Sequence, residues 1–158
     1  MTFRIERATE KDLALILRLI KELAEYEQLA HAVVATEATL RESLFEKRAA
    51  EVVVGYAGGE AAGFALFFQT FSTFLGVPGV YLEDLFVVPT WRRHGLGRAL
   101  LAHLARIAVE RGYGRVEWSV LDWNEPAIAF YKSLDARPMD AWTVFRLTGP
   151  SIGQLAGA

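Results

Sequence analysis

The chain contains no cysteine. Disulfides, thiol nucleophiles and cysteine-based zinc sites are therefore excluded. Its three histidines, His31, His94 and His103, are scattered and lack the spacing of metal ligands, so no metal is expected. Charge of one sign is also lacking. The formal net charge is −2, which provides no field to hold a nucleic acid. No apolar run reaches the roughly 18 residues of a membrane span. The opening MTFRIERATE is charged from Arg4 onward and does not read as a signal peptide. A cytoplasmic location without a membrane partner is the expectation. Repeats, linkers and low-complexity tracts are absent as well.

What remains is a chain of 158 residues, 53% hydrophobic and 23% charged. That suits one soluble domain with a substantial core. We read residues 1–158 as a single domain, with a core over about 3–148 and a loose tail over 149–158. Alternation predicts a first strand over 3–8. Thr9 and Asp12 resemble a capping box, and Leu13, Ile16, Leu17, Ile20, Leu23 and Ala24 then share one helical face. A second helix is predicted from Thr36 to about Glu46. Strands over 51–57 and 61–68 flank a GGE turn, a hairpin signal, and 71–79 reads as a loop. Residues 80–88 (VYLEDLFVV) read as a central strand carrying two acids. A helix ending at Gly112 follows, then a strand over 115–122, a helix over 124–134 capped by Asn124, and a last strand over 141–147. Hairpin-connected strands first and helix-separated strands later imply an α/β (α+β) fold. Its mixed central sheet should have six to seven strands and about four flanking helices, on both faces. Phe64, Phe67, Phe68, Trp118 and Trp142 are assigned to the core. Trp123 is left open between the core and a ligand-facing wall.

One stretch is unusual. The run VVPTWRRHGLGRALL places four basic residues, Arg92, Arg93, His94 and Arg98, and two glycines where a strand gives way to a helix. A helix start has unpaired N–H groups and a partial positive charge. Glycine lets an anion approach that backbone, and arginine adds bidentate donors. The stretch therefore fits a pyrophosphate cradle. Two better-known phosphate motifs fail here. A dinucleotide-binding GxGxxG needs glycine where Leu100 stands, and a P-loop needs a lysine that the stretch lacks.

The pattern [QR]xxGxG, met here by Arg92, Gly95 and Gly97, resembles the GNAT acyltransferase superfamily. The blocks LRLIKELAEYE (17–27), YLEDLFV (81–87), RRHGLG (92–97) and DWNEPAIAFYKSLDA (122–136) resemble its spermidine/spermine (diamine) and thialysine N-acetyltransferase branch. The resemblance spans most of residues 3–147. It implies a GNAT fold and acetyl-CoA as cosubstrate. It also implies transfer of an acetyl group to a primary amine of a small diamine, polyamine or amino-acid-like substrate by direct attack. The coenzyme's pyrophosphate would rest on Arg92, Arg93, His94, Gly95, Leu96, Gly97 and Arg98. Its pantetheine would lie along the backbone of Leu85, Phe86, Val87 and Val88. Asn124 would contact the coenzyme, and Tyr131 would contact it and protonate the departing thiolate. The two stand two helical turns apart on one face.

An alkyl ammonium must lose a proton before it attacks, at a cost of roughly 4.6 kcal/mol at pH 7. The resemblance gives that task to Glu83, directly or through water, with Asp84 as helper or cation anchor. Regular pleating would send these neighbours to opposite faces unless the strand bulges. Tyr26 and Glu27 match residues lining the amine site. Ser72 and Phe74 stand where the polyamine enzymes carry an acid and a tryptophan, which weakens the case for long polyamines. Asp135 replaces the family's glycine, in a position Asp tolerates. The family's homodimeric habit is the expectation for assembly. The alternatives are a non-catalytic acyl-CoA-binding module, or an acetyltransferase of protein N-termini or lysines.

Overall fold

The computed structural model describes residues 2–157. Two compact units are distinguished, one ending at Ser119 and one beginning at Val120.

The first unit is a five-stranded sheet in the order β1-β2-β3-β4-β5. Its strands are β1 (Arg4–Arg7), β2 (Glu51–Ala57), β3 (Glu60–Ser72), β4 (Val77–Val87) and β5 (Val116–Trp118). The first four run antiparallel in sequence order, and β5 joins β4 in parallel. A parallel neighbour requires a crossover, which is supplied by helix α3 (Leu96–Arg111). Helix α1 (Leu13–Tyr26) follows a short 3-10 turn, Glu10–Asp12, where the Asp12 carboxylate accepts the Thr9 backbone N–H at 2.8 Å. That is the reach-back half of the expected capping box. The second predicted helix starts as α2 (Glu37–Leu40), with Thr36 as its N-cap, and widens into π-helical geometry over Arg41–Glu46.

Helices cover both faces of the sheet. Leu13, Ile16 and Leu19 of α1 cluster with Val52, Val54, Phe64, Leu66 and Phe86 of the sheet. Leu96, Leu100 and Leu104, four residues apart on α3, are buried completely or nearly so. Residues four apart share a helical face. Leu96 enters a notch made by the glycine pair Gly55 and Gly63, which are register partners on β2 and β3. A Cβ on Gly55 would stand 2.6 Å from a Leu96 methyl, and one on Gly63 would stand 2.5 Å from the Phe86 carbonyl oxygen. The start of α3 is thus seated directly against the sheet.

The second unit contains α4 (Glu125–Ser133) and α5 (Pro150–Ala156). Four expectations need correction. The stretch 71–79, expected as a loop, is largely strand, since β3 runs to Ser72 and β4 begins at Val77. The sheet has five strands rather than six to seven, because the last predicted strand is absent: residues 142–148 adopt no regular structure. Their alternation is real, but a strand needs a partner ladder, and Val144 and Phe145 are exposed. Trp142, expected in the core, is 78% exposed. The tail expected to be loose is helical over Pro150–Ala156, with proline in its first turn and Gly157 at its end. The α-helices therefore number five among the described residues. By contrast, Asp135 adopts the left-handed conformation (φ +64°) that its place after α4 demands.

Candidate active site

The central feature is an irregularity in β4. Leu66 pairs with Asp84, yet Phe67 pairs with Leu82, so Glu83 is an extra residue in the strand. This is a β-bulge, the exception that allows neighbouring side chains to leave strict alternation. Asp84 stands opposite Leu66, a member of the core on the α1 side, so it faces α1. The last residues of that helix lead to Glu27.

The electrostatics agree with this placement. Burial first, and then the neighbouring Glu83 and Glu27 charges, together push the Asp84 carboxyl up from its ordinary 3.8 to about 6. The Glu27 carboxyl is raised by burial and then by Glu83. Three carboxylates therefore share one neighbourhood, joining α1 to the bulge. Like charges held together favour the neutral acid unless a cation arrives.

The bulge also marks where β4 loses a neighbour. The strand β5 accompanies it only from Val80 to Leu82. Beyond that point only β3 pairs with it. Val88 donates its N–H to the Ala62 carbonyl at 2.8 Å, toward β3. Because the peptide is trans, the Val87 carbonyl points the opposite way. Alternation then directs the backbone groups of Leu85 and Val87 toward the open edge, and those of Phe86, with the Val88 N–H, toward β3, while the Val88 carbonyl accepts the Trp91 N–H. Half of the four residues expected to offer backbone to an extended ligand face that edge.

At the end of β4 the chain makes a 3-10 turn, Pro89–Trp91, and reaches α3. Arg93 (φ +64°) and Gly95 (φ +90°) are both left-handed, and Gly95 is the N-cap of α3. Alternating backbone of this kind turns successive N–H groups toward a common point. Helix hydrogen bonding begins with Ala99 N–H to Gly95 O (3.0 Å), leaving the earlier amides without an intrahelical acceptor. A Cβ on Gly97 would meet only a Val87 methyl, at 3.9 Å. Protein packing does not use that space, so an anion's oxygens fit against the backbone there. Arg93 and Arg98 are exposed beside it. The His94 ring donates from Nδ1 to the Arg92 carbonyl (2.8 Å). Arg92 behaves differently. Its Nε donates to the Val87 carbonyl at 2.9 Å, and its guanidinium lies over Tyr26.

Ser72 and Phe74 are not gathered here. Ser72 ends β3, its Oγ accepting the Leu75 N–H, and Phe74 is fully exposed at the hairpin tip. From the start of β4 to Glu83 is a distance on the order of 20 Å at strand rise. In the second unit, Asn124 caps α4 by accepting the Ala127 N–H at 3.4 Å. Tyr131 lies further along the same helix with its ring 5.7 Å from that of Phe130. Among the described residues no helix is long and apolar enough to cross a membrane.

The acetyltransferase (GNAT) family model matches residues 16–135. A thialysine N-epsilon-acetyltransferase from Caenorhabditis elegans is 37% identical over 157 residues, covering 98% of this chain and 97% of that protein. An L-ornithine N5-acetyltransferase from Arabidopsis thaliana is 32% identical over 198 residues, with coverage of 96% and 87%. Among solved structures, an integron cassette protein from the mobile metagenome of V. cholerae superposes with a TM-score of 0.82 at 28% identity, covering 100% of this chain and 99% of that one. With most of its length matched by the family and a crossover helix seated behind a splayed, bulged strand, the chain belongs to the GNAT family of acetyltransferases, alongside its thialysine branch.

Proposed function

We propose that this protein moves an acetyl group from acetyl-CoA to a primary amine of a small diamine or amino-acid-like substrate by direct attack. The observation that carries the reading is the group of three carboxylates, Glu27, Glu83 and Asp84, gathered where β4 opens. The names of the relatives, thialysine and ornithine acetyltransferases, support the substrate class. Both named substrates carry a second amino group and a carboxylate besides the amine that reacts.

The coenzyme fits the residues present. Backbone amides of residues 93–98, with Arg93 and Arg98, hold the diphosphate, and the Gly97 gap admits it. The Leu85 backbone and the Val87 N–H hold the pantetheine by strand-like pairing. Bound there, acetyl-CoA supplies the activated thioester. Glu83 takes the ammonium proton, which offsets the roughly 4.6 kcal/mol that deprotonation costs at neutral pH. Asp84 and Glu27 hold the cation through charge and burial. Tyr131 gives its Oη proton to the departing thiolate, and Asn124 contacts the coenzyme; both roles follow the family's pattern on α4. A tyrosine stays protonated at neutral pH because its ordinary pKa is near 10.

We further infer a homodimer. Ser72 and Phe74 sit too far from Glu83 to act on the same substrate within one chain, so the hairpin tip would serve the site of a second copy.

The test is thiol release from acetyl-CoA across a panel of short diamines, ornithine, lysine and thialysine. Turnover with at least one short diamino substrate is expected. Coenzyme binding without turnover on any amine favours a non-catalytic binding module. Turnover on peptides alone, without competition by a small diamine, favours a protein acetyltransferase. Tyr131→Phe should lower kcat mainly, and an unchanged kcat would remove the tyrosine from its role.

A further inference from the structure

We propose that Arg92 is a positioning residue that ties the amine-side end of α1 to the open end of β4. This assigns its side chain to that tie, not to the coenzyme diphosphate. The inference deepens the reading above and rests on it for its catalytic consequence.

Three contacts define the arrangement. Nε donates to the Val87 carbonyl at 2.9 Å. The guanidinium carbon lies 4.7 Å from the centre of the Tyr26 ring and 5.5 Å from that of Phe86. Arg92 is half-buried, whereas its neighbours Arg93 and Arg98 are exposed. The side chain is therefore folded inward against the sheet and α1. Planarity explains why an arginine serves here. Its flat face stacks on aromatic rings while its edge donates a directed hydrogen bond, and lysine can do only part of this.

The two ends of this tie are the two parts of the amine site. Tyr26 is the last residue of α1, and Glu27 follows it. Val87 closes the strand segment that begins at the Glu83 bulge. The Val87 carbonyl is the last open-edge acceptor of β4, and Arg92 occupies it, while the Leu85 backbone and the Val87 N–H stay available to an extended ligand. Loosening Arg92 should let the end of α1 drift from β4 and separate Glu27 from Glu83 and Asp84. The amides of α3 are seated independently by Leu96 and should be unaffected.

The experiment compares Arg92→Lys and Arg92→Ala with Arg93→Ala. Calorimetry with coenzyme A reads the cradle, and steady-state kinetics with the best amine of the panel reads the acceptor site. Arg92→Lys should raise the amine KM about tenfold, or about 1.4 kcal/mol, while the coenzyme Kd stays within about twofold. Arg93→Ala should show the reverse pattern. A loss of coenzyme affinity of about tenfold or more in Arg92→Lys overturns the proposal. So does an unchanged amine KM in both Arg92 variants. A denaturant double-mutant cycle of Arg92→Lys with Tyr26→Leu reads the tie without any ligand. Non-additive shifts are expected, and strict additivity overturns the proposal. If the wild type releases no thiol with any amine, the acetyl-transfer reading fails while the cycle still decides the tie between Arg92 and Tyr26.

Discussion

The two halves of β4 belong to one strand and behave as different materials. Over Val80–Leu82 the strand lies between β3 and β5, and Val80 and Leu82 are almost wholly buried. From Glu83 to Val87 it has β3 on one side only, carries two carboxylates, and leaves Leu85 half-buried. One inserted residue separates the halves. The closed half commits its backbone to the sheet. The open half holds back the groups a ligand can use.

The largest test of this contrast is truncation on each side of the bulge. Leu82→Ala should cost about 3 kcal/mol in denaturant unfolding, whereas Leu85→Ala should cost about 1 kcal/mol or less and show mainly in turnover. Equal losses would erase the distinction. Next comes pH. Asp84 has its folded-state pKa raised to about 6 from 3.8, so the folded protein binds this proton more tightly than the unfolded chain. Stability from this group is full below about pH 4, declines as pH rises toward about 6, and is level above that, a change on the order of 3 kcal/mol. Asp84→Asn should flatten that part of the stability profile, and a profile identical to wild type would deny the carboxylate cluster. Smaller again is Gly97→Val, which should weaken coenzyme affinity about tenfold in calorimetry with little change in melting temperature. Unchanged affinity would remove the cradle from the open side. The smallest effect belongs to the far end of α3. Gly112 is left-handed there (φ +71°), and its N–H caps the Ala108 and Val109 carbonyls. Gly112→Ala should cost about 1 kcal/mol of stability and leave coenzyme affinity alone.

Much of this was legible in the sequence because its causes are local. The Gly112 stop, the Asn124 cap, the pairing of Thr9 with Asp12 and the GGE hairpin each depend on a few neighbouring residues. So does the cluster of glycine and arginine that opens α3. The bulge at Glu83 depends on the register of Leu66 and Phe67 some sixteen residues earlier. The residues YLEDLFV could only pose it as an exception to pleating. The inward fold of Arg92 was hidden for the same reason, since Tyr26 and Phe86 are brought to it by the fold. The run AWTVFRL failed as a strand because alternation records a capacity to pair and says nothing about the presence of a partner.

The Leu96 side chain, wedged into its glycine notch, has a consequence for the thermodynamics of ligand capture. Amides already held in place surrender little freedom when an anion reaches them, so more of each contact is retained as affinity. Shortening that leucine should leave every donor atom present and still yield a weaker grip, with the deficit appearing as an entropic penalty.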